Sequence, residues 1–214
     1  MRTGSDVDIT LEDLDDLPTT LANYGEELLE SHVYLSVKQA ATGPNSVRWL
    51  EAISKEKAKL EANRTWVPCT KAELGSNIRA IPIALLLTEK RDGTHKCRAV
   101  VLGNQYHRSA TEQFFAPVAS WTALRLLTTT ASREGDFIRV FDLDNAFLNA
   151  ELPEGSPPIY VSLPPAWREV GDRPIRRLVR ALYGLPQSPI LWYRKYEAGL
   201  RAEGWEVSPF EPGM

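Results

Sequence analysis

Apolar positions first recur at helical spacing at Val47, Trp49, Leu50, Ile53 and Leu60, which predicts a helix over about residues 46–62. Glu51 and Lys55 are available there as an i,i+4 ion pair. Two apolar-rich runs follow, Ile81–Glu89 and Thr94–Leu102, separated by Arg91-Asp92-Gly93. Asp-Gly between two such runs predicts a β-hairpin, because those residues accept the backbone angles of a tight turn. Trp121–Ala131 reads as a helix opened by Ser120 and closed near Gly135. Phe137–Leu143 reads as a strand, with a helical stretch over Asn145–Glu151, and Ile159–Leu163 and Ile175–Val179 as two further strands. A last helix is expected from Ser188-Pro189, an N-cap followed by proline at the first helical position. Its buried stripe is Ile190, Tyr193, Tyr196 and Leu200, and Gly204 ends it.

Strands paired in hairpins and interleaved with helices, without a regular βα alternation, predict an α+β fold. Periodicity starts only near Asn45; the earlier residues are crowded with acidic side chains and end in Ala41-Thr42-Gly43-Pro44. Residues 1–44 are therefore expected to form an acidic, disordered leader, with Glu26–Val37 able to form a helix or an edge strand. Residues 45–214 form the ordered domain, a length that permits one sizeable core.

Charge sharpens that division. The net charge of −3 combines nine acidic and one basic residue in 1–30 with 24 basic and 19 acidic in the remainder. An acidic head on a mildly basic body is compatible with a nucleic-acid-facing domain, and equally with many proteins that never meet a polynucleotide. The longest apolar stretch, Ile81–Leu87, is too short for a membrane span and contains a proline. No basic region followed by an apolar run suggests secretion or other targeting, so an intracellular protein, cytoplasmic or nuclear, is expected. Cys69 and Cys97 are read as reduced thiols, and His32, His95 and His107 form no ligand pattern.

The segment with the clearest candidate chemistry is Arg139-Val140-Phe141-Asp142-Leu143-Asp144-Asn145-Ala146-Phe147-Leu148-Asn149. A carboxylate at the end of a strand suits a hard cation such as Mg²⁺, which combines one or two carboxylates with substrate phosphates. On spacing alone an aspartate at such a junction is more often a helix cap. Lys96 and Arg98 share one face of the second hairpin strand by its period of two, so both could reach phosphate oxygens, or simply face water. Arg173, Arg176, Arg177 and Arg180 read more readily as a solvated strand face than as a phosphate contact, and Trp192, Tyr193 and Tyr196 as helix packing rather than base stacking.

Asp142-Leu143-Asp144-Asn145-Ala146-Phe147-Leu148-Asn149 resembles the copia-type reverse transcriptase motif Asp-Val-Lys-Thr-Ala-Phe-Leu-Asn. Other landmarks of that family follow in register. They are Trp49, Ala52, Glu56, Leu60, Asn63, Thr65 and Trp66, then Lys90, Asp92-Gly93, Lys96, Arg98, Val100, Gly103 and Gln105. Phe115, Pro117-Val118 and Arg125 come next, and later Ile159-Tyr160, Pro164-Pro165, Leu182-Tyr183-Gly184-Leu185, Gln187, Pro189 and Trp192-Tyr193. Together they cover about residues 46–205.

The resemblance implies an incomplete right-hand polymerase fold, with a fingers hairpin and a partial palm sheet with packed helices over 45–214. It implies RNA-directed DNA polymerase activity in the complete Pol polyprotein, adding deoxynucleotides by two-metal phosphoryl transfer. Asp142 would be the first catalytic aspartate and a ligand to Mg²⁺, with the backbone carbonyl of Leu143 beside it. Lys96 and Arg98 would hold triphosphate oxygens, Phe147 would exclude a 2′-hydroxyl, and Gln187 would lie near the 3′-hydroxyl of the incoming nucleotide. The implied partners are an RNA or DNA template with its primer, deoxynucleoside triphosphates, and downstream palm, thumb and ribonuclease H regions; a virus-like particle becomes a further compartment. The family's aromatic-x-Asp-Asp motif is expected after Tyr193 and is not found before Met214, and Ala119-Ser120, Ile190 and Ala99 depart from the usual residues. This chain is therefore expected to carry half a metal site and to be inactive alone. The other class of reading is a non-catalytic relic or a co-opted nucleic-acid-binding module.

Overall fold

A computed structural model describes residues 36–69, 73, 79–106, 114–169, 173–211 and 213. Most of the expected leader, and nearly all of the Glu26–Val37 segment, lies outside the described residues. The end of that leader is a short helix, α1 (Val37–Thr42), because Ser36 and Gln39 form a reciprocal capping box. The described residues divide into two units: one takes those up to Ser54 together with Leu86–Arg98, the other those of Lys55–Leu85 and from Ala99 onward.

Helix α2 (Ser46–Ala62) passes through both units. Its buried residues are Trp49, Ile53, Glu56 and Leu60, one stripe at helical spacing. Val47 and Leu50, expected inside, are exposed. Strand β1 (Trp66–Pro68) follows after Arg64 adopts a left-handed conformation at φ 50°. Thr65 is wholly buried; its hydroxyl donates to the Leu60 carbonyl at 2.8 Å, and its own carbonyl accepts the Val179 amide at 2.9 Å.

The expected hairpin is present as β2 (Ile81–Glu89) and β3 (His95–Val101). At its tip the Lys90 amide donates to the Thr94 carbonyl at 2.9 Å, and Gly93 takes φ 77°. In β3 the odd positions Cys97, Ala99 and Val101 are buried while Lys96, Arg98 and Val100 are not, the alternation expected of a half-buried strand. Within the first unit, Trp49 meets the His95 ring edge-on at 4.2 Å.

Strands β4 (Tyr160–Ser162) and β5 (Ile175–Leu178) complete a five-stranded sheet of order β1-β5-β4-β2-β3. Here β4 runs parallel to β2, with Ile81 opposite Val161, and antiparallel to β5. The core of the second unit gathers Leu60, Val101, Leu148, Val161, Leu163 and Leu182, each under 3% exposed. Cys69 and Cys97 are buried and not disulfide-bonded, and burial pushes the Cys69 thiol up. No helix among the described residues is long and apolar enough to cross a membrane. The α+β expectation holds.

Three local expectations change. Helix α3 (Trp121–Glu134) has the expected Ser120 cap and a left-handed Gly135, yet Trp121, Leu124, Leu126 and Leu127 are exposed. The strand expected over Phe137–Leu143 does not form: residues 136–143 are irregular, with Phe137 97% and Val140 93% exposed. A strand is completed by its neighbour, and among the described residues this segment has none. The last helix, α4 (Ser188–Ala202), is capped at Gln187 rather than Ser188. Ser188 is buried and its hydroxyl donates to the Leu182 carbonyl at 2.6 Å, so it ties down the preceding turn instead.

Candidate nucleotide site

Asp142 and Asp144 sit exposed on the segment that leaves α3. Asn145 then takes φ 55°, a left-handed angle that asparagine accepts more readily than most residues. That reversal starts a 3₁₀ turn, Ala146–Asn149, where a longer helix was expected. The Leu148 amide donates to the Asn145 carbonyl at 2.8 Å. The Asn149 side chain donates to the carbonyls of Asp144 and Asn145 at 3.3 Å. Asn149, the last residue of the motif, therefore holds the turn closed.

The turn is also held from outside. Arg180 Nη1 donates to the Leu148 carbonyl at 3.0 Å and Nη2 lies 3.5 Å from Glu151. The Ala181 amide donates to the Ala150 carbonyl at 2.8 Å. Arg180 is thus committed to the protein's own backbone, and Arg176 likewise donates to the carbonyls of Arg173 and Ile175. Neither is the simple solvated face its spacing suggested.

Phe147 projects from this turn into a cleft of about 410 Å³, bordered by Pro117, Val118, Pro189, Trp192, Tyr193 and Tyr196. Trp192 and Tyr196 are stacked at 5.7 Å, and both are half-buried, so they line an open cleft rather than a closed core. Beside the cleft, Glu211 accepts from the amide and hydroxyl of Ser120, next to the lining residue Ala119. Behind Phe147 stands Tyr183, its ring edge-on at 4.8 Å and 62°. The sequence offers Arg180 as a solvated or phosphate-facing residue and Tyr183 as a landmark of the resemblance, but not as supports of this turn, because both act across long sequence separations.

The Tyr183 turn is fixed by a close backbone approach. The Val101 amide donates to the Tyr183 carbonyl at 2.8 Å. Gly184, at φ 87°, leaves no room for a Cβ against Val101, and a Cβ on Gly103 would overlap the Gly184 carbonyl. Both positions need glycine for space, and Gly184 for its backbone angle as well. Gln187, at the start of α4, is half-buried, and its Oε1 is enclosed without a hydrogen-bond partner.

Of the expected site residues, Asp142, Leu143, Phe147 and Gln187 belong to the second unit, and Lys96 and Arg98 to the hairpin part of the first. For two Mg²⁺ ions the donor set is insufficient: no group of three or more His, Cys, Asp or Glu able to hold a metal forms among the described residues. Asp142 and the Leu143 carbonyl offer one carboxylate and one carbonyl oxygen on an exposed segment, and no catalytic step follows from them alone.

Residues 63–214 match the reverse transcriptase (RNA-dependent DNA polymerase) family. The retrovirus-related Pol polyprotein from transposon TNT 1-94 of Nicotiana tabacum is 26% identical over 184 residues, 83% of this chain and 13% of its own length. That from transposon RE1 of Arabidopsis thaliana is 33% identical over 156 residues, 68% of this chain and 10% of its own. The transposon Ty1-DR4 Gag-Pol polyprotein of Saccharomyces cerevisiae is 29% identical over 157 residues, 72% of this chain and 9% of its own. No solved structure matches. The chain spans only 9–13% of these curated relatives. With a match running over most of its length, the chain belongs to the reverse transcriptase family, as the domain found in Pol polyproteins of copia-type transposons.

Proposed function

We propose that this chain is the fingers and part of the palm of a right-hand polymerase fold, and that its cleft receives the incoming deoxynucleoside triphosphate. The observation that carries this is Phe147, which presents an aromatic ring to an open cleft five residues after Asp142. A ring at that wall leaves no space for a 2′-hydroxyl. Gln187 starts α4, whose Pro189, Trp192 and Tyr193 border the cleft, and its enclosed Oε1 has no hydrogen-bond partner; the reading assigns it to the neighbourhood of the 3′-hydroxyl. From the resemblance, Lys96 and Arg98 of β3 are read as cations for triphosphate oxygens. Asp142 and the Leu143 carbonyl contribute to a Mg²⁺ site whose further ligands are not among the described residues. In the complete polyprotein the activity is template-directed addition of deoxynucleotides to a primer.

Titration calorimetry with dATP and ATP, in the presence of primer–template, tests the carrying observation. Tighter binding of dATP, with the preference lost in Phe147→Ala, is expected. Equal affinities in the unaltered chain would sink the reading.

The insufficient donor set favours a second reading for the chain by itself, that it binds nucleotide and primer–template without extending the primer. Primer extension on an RNA template decides. Incorporation that vanishes in Asp142→Asn would overturn the binding-only reading, and affinity for primer–template should fall as salt rises.

A further inference from the structure

The proposed sugar discrimination rests on the Phe147 ring being held still. A ring free to turn about its side-chain bonds could retreat from a 2′-hydroxyl at little cost, since rotamer exchange in side chains that nothing holds is fast. What surrounds Phe147 is therefore as important as the ring itself.

Two separate constraints converge on it. The backbone carrying Phe147 is pinned by Arg180 at the Leu148 carbonyl and by Asn149 at the carbonyls of Asp144 and Asn145. The ring meets Tyr183 edge-on at 4.8 Å and 62°, within the geometry in which aromatic pairs attract beyond their buried area. Tyr183 does not border the cleft as Phe147 does; it stands behind that ring. Its own position is fixed by the Val101 amide on its carbonyl, by the Gly103–Gly184 approach, and by Ser188 on the Leu182 carbonyl.

We infer that Tyr183 is a positioning residue for sugar selection: its ring holds Phe147 against the cleft, and through Phe147 sets the preference for deoxyribose over ribose. This inference rests on the proposed reading of Phe147 as the sugar-excluding side chain. The pair with Phe147 is made by the Tyr183 ring.

The experiment measures the ratio of Kd for ATP to Kd for dATP in the full chain with primer–template, alongside the thermal midpoint of each variant. Tyr183→Phe should keep the ratio of the unaltered chain. Tyr183→Leu, which retains bulk but not the edge-to-face pair, should lower it roughly 3- to 10-fold, the range that one aromatic pair can supply. That loss should come mainly from tighter ATP binding, with dATP affinity and the thermal midpoint little changed. A preference for dATP that survives Tyr183→Leu would overturn the role of Tyr183 and leave the proposed function standing. Lowered affinity for both nucleotides in proportion would reveal a merely structural residue and equally overturn it. No preference in the unaltered chain would overturn both.

Discussion

Asp92 at the hairpin tip accepts the Thr94 amide through Oδ1 at 2.9 Å. That backbone hydrogen bond, more than any other influence, holds its carboxyl below the usual carboxylate range. A folded-state value lower than the unfolded one contributes stability above the ordinary aspartate range, and the contribution is lost as pH falls through the depressed folded value. Protection of the Thr94 amide against hydrogen exchange should therefore weaken on acidification, in step with the Asp92 titration followed by NMR. In Asp92→Asn the acceptor remains but the titrating group does not, so the acid-side weakening should disappear. Residue-scale features of this kind were legible in the sequence: Asp92-Gly93 announces its turn because the chemistry is complete within four positions. What Tyr183 and Arg180 touch was not legible, since their partners Phe147 and Leu148 lie more than thirty residues away in the sequence.

Elements show the same dependence on range. The stripe of α2, the hairpin β2–β3 and the caps of α3 all follow from local pattern, and the structure has them. The segment 136–143 carries strand residues, but a strand is a property of a pair, and one strand's sequence does not supply the other. Ser188 has the composition of a cap, and its burial sent its hydroxyl to Leu182. Within α2, Glu56 occupies a position of the buried stripe and accepts the Ala99 amide at 3.1 Å while pairing with Lys59. It joins helix to hairpin strand by a side chain rather than by packing alone. Glu56→Leu leaves the buried Ala99 N–H without an acceptor and should cost about 1–3 kcal/mol in urea denaturation. Glu56→Gln, which keeps an acceptor oxygen, should cost less, and equal losses in the two variants would show that the hydrogen bond is not what Glu56 contributes.

At the scale of the whole molecule, the unequal burial of its parts is the dominant physical fact. Leu182, Val161 and Val101 are almost fully enclosed, whereas Phe137 and Val140 are almost fully in water. An exposed apolar segment outside any sheet is a surface for association between chains. Phe137→Lys with Val140→Lys should lower self-association, read by light scattering against concentration, without lowering the thermal midpoint, because neither side chain is packed. An unchanged scattering profile would mean that this segment does not drive association.

The approach of Gly103 to Gly184 carries a consequence for descent rather than for stability. A Cβ on Gly103 would strike the Gly184 carbonyl and one on Gly184 would strike Val101, so either change forces the same two segments apart. A lineage in which one of them has changed has already separated the two segments, and selection then has little hold on the other. The pair should be inherited together or lost together, which makes it a marker of whether a related element still folds this turn.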